Sequence, residues 1–291
     1  MGDGVYKSTD AGRTWTNVGL TETGRIAKIV AHPTNPDVAY VCATGRITGP
    51  QQERGVYRTM DGGKTWEQVL FVDKNTGCSG LSMDAKNPRK LIAGTWQAEM
   101  HPWAMFSGGP GSGIFVSSDA GSTWKRAESP GLPTGNLGKI DVAIAPSDSN
   151  RVYALIQTAD QGSVWRSDDG GASWRAVNWD RALIGRAGYY INIEVSSDNR
   201  DDVYVADSSF WGSVDGGETF RQLAPALMRA HHFDAERAAE HHRRFRLRVD
   251  VALRGMKPAE LIADRNRTRR RSLGFNCAWS FRLKLHIALA R

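Results

Sequence analysis

Five eight-residue segments of this chain follow one pattern, and that pattern limits the possible folds more than any other feature. They are Ser8-Thr9-Asp10-Ala11-Gly12-Arg13-Thr14-Trp15, Thr59-Met60-Asp61-Gly62-Gly63-Lys64-Thr65-Trp66, Ser117-Ser118-Asp119-Ala120-Gly121-Ser122-Thr123-Trp124, Ser167-Asp168-Asp169-Gly170-Gly171-Ala172-Ser173-Trp174 and Ser213-Val214-Asp215-Gly216-Gly217-Glu218-Thr219-Phe220. The chemistry is that of a tight β-hairpin turn. An Asp carboxylate accepts hydrogen bonds from amides of its own turn. The Gly two residues later takes the positive φ that closes the turn. Thr or Ser then opens the return strand, and the ring that follows packs on neighbouring strands. Short apolar stretches such as Gly4-Val5-Tyr6, Gly55-Val56-Tyr57 and Ser163-Val164-Trp165 precede the turns as strands. On this reading Asp10, Asp61, Asp119, Asp169 and Asp215 are structural. A calcium loop needs several carboxylates at alternating positions, and each box offers one.

The boxes recur at Asp-to-Asp intervals of 51, 58, 50 and 46 residues. Between them lies a second repeated feature, a strand followed by a Pro/Asn/Asp turn and another strand. It runs through Ala31–Asp37, Asp84–Pro88, Ala145–Asn150 and Ser196–Asp201, with apolar strands after each. Two strands about this turn and two about the box make a four-stranded unit of about 50 residues, a β-propeller blade. The expected fold is therefore all-β: an incomplete propeller of four to five four-stranded blades over residues 1–223. The first blade begins at its third strand, so an upstream portion is expected. A ring open in this way leaves unpaired strand edges, which favour association with a partner chain.

Composition supports this reading and divides the chain. Gly (31) and Trp (10) are high for 291 residues, as a turn-rich, ring-anchored β protein requires. The formal net charge of +7 hides a division: residues 1–223 carry −3 and residues 224–291 carry +10. The main body has no electrostatic case for nucleic acid. Residues 224–291 lack the box and are rich in Arg, His, Ala and Leu. His231-His232, His241-His242 and the basic run from Arg265 to Arg271 would serve a metal or nucleic-acid site, and residues 233–251 have helical composition. The abrupt change instead favours an out-of-frame or disordered tail. No run of apolar residues is long enough for a membrane helix, and the start shows no export signal. Cys42, Cys78 and Cys277 have no metal-ligand spacing. Cys42, in an apolar strand, reads as a small buried hydrophobe, with a single bridge still open. No cofactor or metal is expected.

The boxes in register resemble the Asp-box, or bacterial-neuraminidase-repeat, families. The likeness is nearest to bacterial sortilin-like propeller proteins loosely labelled glycosyl hydrolase. It covers residues 2–223 and extends to Gly49–Arg58, Phe71–Gly77, Ser107–Gly113 and Arg186–Tyr190. The resemblance implies a secreted or periplasmic setting and a non-catalytic module that binds peptide or glycan through its loop face or central channel. The alternative is a glycoside hydrolase fragment. Sialidases of this repeat class need three Arg, a Tyr–Glu pair and an acid/base Asp, and Gly24-Arg25-Ile26-Ala27 only faintly resembles the first Arg motif. Xyloglucanases place two Asp across a cleft between tandem propellers, which one incomplete propeller does not build.

Two regions are candidate binding sites. The longest interval contains an interruption from Trp96 to Gly113, in which Trp96, His101, Trp103 and Phe106 either stack on a sugar or apolar peptide side chain or seal a neighbouring blade. Arg186, Tyr189 and Tyr190 fall where an innermost strand is expected, and an Arg with two Tyr at a channel suits a carboxylate. Strand alternation would turn one of these Tyr into the core. Arg25, Lys139 and Asp141 are placed similarly. Gly108–Gly113 lacks the Lys-Ser/Thr end of a phosphate loop and reads as a flexible turn before a strand. His32 sits in a Pro turn with no ligand-type neighbour.

Overall fold

The computed structural model describes residues 2–224, and these form a β-propeller with no α-helix among them. The tail expectations, including its His pairs, basic run and helical stretch, lie outside the described residues. The first hairpin is β1 (Tyr6–Lys7) with β2 (Thr16–Asn17). Blade 1 is β3 (Ile26–Ala31), β4 (Ala39–Ala43), β5 (Gly55–Thr59) and β6 (Glu67–Leu70). Blade 2 is β7 (Thr76–Met83), β8 (Leu91–Met100), β10 (Gly113–Ser117) and β11 (Lys125–Arg126), with β9 (Met105–Ser107) paired to the end of β8. Blade 3 is β12 (Ile140–Ala145), β13 (Asp148–Ile156), β14 (Val164–Ser167) and β15 (Arg175–Asn178). Blade 4 is β16 (Asn192–Val195), β17 (Val203–Ala206), β18 (Phe210–Ser213) and β19 (Arg221–Ala224).

Each blade is an antiparallel meander in sequence order. The innermost strands β3, β7, β12 and β16 pack side by side in that order. Antiparallel connectivity therefore puts all boxes at one end of the blades. The turns from second to third strand, and the linkers between blades, lie at the other end.

All five boxes make the same hydrogen bonds. Asp10 Oδ1 accepts from the Thr14 amide at 2.9 Å and Oδ2 from the Thr14 hydroxyl at 2.7 Å. The Ser8 hydroxyl donates to Asp10 Oδ1 and accepts from the Gly12 amide, both at 2.8 Å. The set recurs around Asp61, Asp119, Asp169 and Asp215. In place of the single expected positive φ, two consecutive residues adopt it. Ala11 (58°) and Ala120 (61°) stand in the left-handed region where the other boxes have Gly. That first residue also clasps its blade: the amides of Gly62, Ala120, Gly170 and Gly216 donate to the carbonyls of Asp37, Arg89, Asn150 and Asp201, at 2.7–2.9 Å. The box is thereby tied to the turn between the first two strands, which explains why both features repeat together.

The core is divided among the blade interfaces. Tyr40, Val56, Leu81 and Leu91 fill blades 1 and 2, Ile92, Ile140, Val152 and Trp165 fill 2 and 3, and Tyr153, Leu155, Ile193 and Val205 fill 3 and 4. Trp66, Trp124, Trp174 and Phe220 pack into these clusters or into the one beside the first hairpin, as expected of the box rings. Neighbouring blades are also stitched near the axis. Thr44 Oγ1 donates to the Cys78 carbonyl at 2.8 Å, Ser79 Oγ to the Ile140 carbonyl at 2.6 Å, and the Ile193 amide to Asp141 Oδ2 at 2.9 Å. Gly80 makes room for that carboxylate, since an added Cβ would meet Asp141 Oδ1 at 2.4 Å.

Cys42 is buried as expected, but it is not a free thiol: it forms a disulfide with Cys78, joining β4 to β7. The sequence separation of 36 residues carries no local signal for this pairing; stacking of the two blades creates it. Closing a loop of that length stabilises the fold by about 4 kcal/mol. The double variant Cys42→Ala/Cys78→Ala is expected to unfold roughly 8–16 °C lower in calorimetry.

The boxes also set an acid limit. Bonds from the Thr14 amide, the Thr65 hydroxyl and the Thr123 amide lead those that hold Asp10, Asp61 and Asp119 down at about 2. Asp169 is lowered chiefly by the Ser173 hydroxyl; at Asp215 burial opposes the bonds from Thr219, and the bonds win. A carboxylate depressed in the folded state contributes stability that is present above its ordinary value of 3.8 and is lost as pH falls through about 2. Asp119→Asn keeps the shape but loses the charge. Its melting temperature should lie below that of the wild type at pH 5–7, and the gap should close toward pH 2. A gap constant with pH would contradict this account.

Candidate functional site

The interruption after Trp96 is a hairpin. Strand β8 runs beyond its blade, turns at His101–Ala104 (His101 amide to Ala104 carbonyl, 2.8 Å) and returns as β9, with Ala98 opposite Ser107 and Glu99 opposite Phe106. Alternation sorts the candidate rings. Trp96 points inward, 2% exposed, and packs with Ile47, Ala98, Met100 and Met105. The others point out: Trp103 is 79% exposed and Phe106 58%. His101 joins them, stacked on Trp103 (centroids 5.1 Å, planes 11° apart) and edge-on to Phe106 (5.8 Å, 78°). Its Nε2 lies 3.1 Å from Glu99 Oε1. The structure thus brings three of the four rings together at the hairpin tip and gives Trp96 a packing role beneath them.

Arg186, Tyr189 and Tyr190 do not lie on an innermost strand, which begins only at Asn192. They occupy a turn in which the Tyr189 and Tyr190 amides both donate to the Arg186 carbonyl, at 2.8 and 3.0 Å. A turn has no two-residue alternation, so both rings face out, at 67% and 47% exposure. Leu183, Ile184, Ala187 and Ile191 fill the core instead. The Arg186 guanidinium lies 6.0 Å from the Tyr189 ring centroid, and its amide donates to both oxygens of Asp207 at 3.1 and 3.2 Å. The linker lies against the hairpin: a Cβ on Gly188 would stand 2.7 Å from Met105 Sδ. Tip and linker therefore form one surface on the loop face.

The other candidates separate. Gly108–Gly113 is a turn before a strand, as expected, but a tightly packed one. An added Cβ would fall 2.4 Å from Gln97 Oε1 at Gly109 and 1.9 Å from Thr76 Oγ1 at Gly111. His32 Nδ1 accepts from the amides of Thr34 and Asn35, which makes it a turn cap. Arg25 is exposed before β3, whereas Asp141 is fully buried, with its oxygens on the amides of Val142 and Ile193. Glu194 on β16 is ion-paired with Lys28 on β3. Composition offered no signal for that pair, whose partners lie 166 residues apart.

Lys139 has no such partner among the described residues. It is 9% exposed, its ammonium lies 5.5 Å from the Trp96 ring centroid, and no carboxylate or carbonyl among the described residues bonds it. A chain of hydrogen bonds links its surroundings to the hairpin. Trp96 Nε1 donates to Ser107 Oγ (2.9 Å), Ser107 Oγ to Gln157 Oε1 (2.6 Å), and the Lys139 amide to the same Oε1 (3.2 Å). Burial pushes the Lys139 ammonium down to about 8, with Arg25 pushing the same way and Asp141 and Asp207 opposing.

Comparison with known proteins agrees with the fold. The family model described as Sortilin, neurotensin receptor 3 matches residues 3–107. A xyloglucanase of Paenibacillus sp. is 27% identical over 229 residues, 74% of this chain and 19% of the relative. The vacuolar protein sorting/targeting protein 10 of Pyricularia oryzae is 34% identical over 90 residues, 30% of this chain and 6% of the relative. These matches support a sortilin-like propeller family. Among solved structures, the Niastella koreensis GH74 enzyme superposes with a TM-score of 0.57 at 18% identity, covering 77% of this chain and 36% of that one. An ancestral GH74 enzyme superposes at 0.55 and 20%, covering 76% and 28%. At such identities the likeness is one of fold. The chain spans less than a third of the length of the curated relatives it matches.

The Lys139 environment has a measurable consequence. A lysine whose proton is held less tightly in the folded than in the unfolded state lowers stability at every pH below about 8, and the penalty fades between about 8 and 10.5. Lys139→Met keeps the apolar stem and removes the charge. It is expected to raise stability on the order of 3 kcal/mol at pH 7, read from denaturant unfolding. The gain should shrink toward pH 10.

Proposed function

We propose that this propeller is a non-catalytic binding module of sortilin-like type, recognising peptide or glycan through the loop face opposite its boxes. The observation that carries the reading is where the apolar surface lies. Of the nine large hydrophobic side chains exposed among the described residues, six are on the loop-face linkers and the β8–β9 hairpin: Phe71, Trp103, Phe106, Trp179, Tyr189 and Tyr190. Exposed rings on a rigid scaffold make a binding surface by their chemistry, since they offer large contact area and lose little entropy on contact. The hairpin that carries His101, Trp103 and Phe106 is braced by the Trp96–Ser107–Gln157 bonds, so the tip is held ready for a ligand. The buried Cys42–Cys78 bridge supports an oxidising setting, in line with a secreted or periplasmic propeller.

A second reading, a glycoside hydrolase fragment, is favoured by the xyloglucanase alignment across three quarters of the chain. Hydrolysis needs two carboxylates about 5–10 Å apart in an open pocket. The two on the innermost strands are already engaged, Asp141 by backbone amides and Glu194 by Lys28. The readings part on one experiment with the full chain, using immobilised peptides and xyloglucan oligosaccharides as probes. The binding module retains one probe class without cleaving it, and Trp103→Ala weakens that binding about tenfold. Release of reducing ends from xyloglucan would favour the hydrolase. Unchanged affinity in Trp103→Ala would remove the hairpin tip from the site.

A further inference from the structure

The hairpin tip carries a charge as well as rings. Glu99 is the only Asp, Glu, Lys or Arg in residues 96–107. Strand alternation turns it away from Trp96, Ala98 and Met100, which pack inward. The register sets it across from Phe106, and its Oε1 lies 3.1 Å from His101 Nε2. The carboxylate therefore stands among the three outward rings. Glu99 is half-exposed, and its Oε2 has no partner among the described residues. His101 covers one face of the Trp103 indole, and at 79% exposure the other face meets solvent. Two nearby rings are already matched with cations of the chain: Lys139 lies 5.5 Å from the Trp96 centroid, and Arg186 6.0 Å from that of Tyr189. Trp103 has no such cation among the described residues. Arg54 senses the charge of Glu99, but its guanidinium donates to the carbonyls of Asn75, Arg46 and Gly49 instead. The tip thus offers an open indole face beside an unspent carboxylate oxygen.

We infer that the hairpin tip binds the side chain of an arginine in a peptide. The inference names a ligand chemistry for the loop face and so rests on the binding reading above. An aromatic face attracts a cation through the ring quadrupole, and the indole does so most strongly. A carboxylate beside the ring adds charge and hydrogen-bond acceptors. Arginine uses both at once. Its guanidinium is planar and weakly hydrated, so it stacks by its face and donates N–H groups from its edge. Lysine brings a compact, strongly hydrated charge that matches a flat ring less well. A neutral hexose would stack on the indole but leave Glu99 without a partner charge, and an acidic side chain would be repelled. Phe106, 58% exposed, gives the apolar stem of the arginine a second surface. Arg186, exposed on the adjoining linker, repels a cation there and confines the arginine to the Glu99 side of the tip.

The test is NMR titration of the full chain at pH 8 with capped glycine peptides that carry one central arginine, lysine, citrulline or glutamate. Citrulline keeps the shape of arginine without its charge. Binding is read from the Trp103 indole N–H resonance, assigned by its loss in Trp103→Phe. The arginine peptide should shift this resonance saturably. The citrulline peptide should bind about fivefold more weakly, the lysine peptide between the two, and the glutamate peptide not at all. Glu99→Gln should bring the arginine peptide down to the citrulline level and leave citrulline unchanged. If that variant fails to fold, the wild type decides alone: raising NaCl from about 50 to about 500 mM should weaken arginine binding and spare citrulline. Equal binding of arginine and citrulline overturns the inference but leaves a peptide-binding tip. Lysine binding as tight as arginine overturns the choice of side chain. Arginine binding that survives Trp103→Ala, or no saturable shift at Trp103, overturns the site. The loop-face reading is decided separately, by retention of the immobilised peptides and xyloglucan oligosaccharides.

Discussion

The structure depends on one carboxylate used the same way five times. An Asp accepts the amide and the hydroxyl of the residue four positions on, while the Ser or Thr two positions before it closes the loop from the other side. This satisfies backbone donors that a two-residue reversal would otherwise leave bare, and it lets two successive residues hold positive φ. The first of them then reaches across its own blade to the neighbouring turn. Each blade is thus clamped at one end by local chemistry, and the fold needs no helix to cover its sheets, because each blade covers the next.

That division leaves the opposite end free. The box end is engaged in its own hydrogen bonds, so the long turns and linkers at the far end tolerate insertions such as the β8–β9 hairpin. Exposed rings accumulate there, and Lys139, beside the Trp96 ring, bonds no carboxylate among the described residues. Packing explains Trp96 and Asp141, both buried and bonded. It does not explain an indole at 79% exposure stacked on a histidine. Features that the fold does not require are where a binding function is to be sought.

Much of the fold was legible because its signals are local. The box bonds span four residues, the strands alternate with a period of two, and the turn between the first two strands is marked by Pro, Asn and Asp. Blade boundaries and the structural role of all five Asp follow from these. The candidate site was legible in part. An insertion rich in rings stands out, and alternation along β8 separates Trp96 from His101 once the strand is known to continue. The Arg186–Tyr190 segment stands at the start of a blade, where an innermost strand is expected, but two amides bonded to one carbonyl make it a turn.

By itself the sequence determined the repeating unit, since hydrogen bonds within a turn and side-chain alternation within a strand act over a few residues. Tertiary structure alone decided what crosses between units: the Cys42–Cys78 bridge, the Lys28–Glu194 pair, the contact of Gly188 with Met105, and the placement of Lys139 beside the Trp96 ring. Each depends on the rotation from one blade to the next. That rotation is fixed by the packing of buried side chains at three interfaces, and no short stretch of residues encodes it.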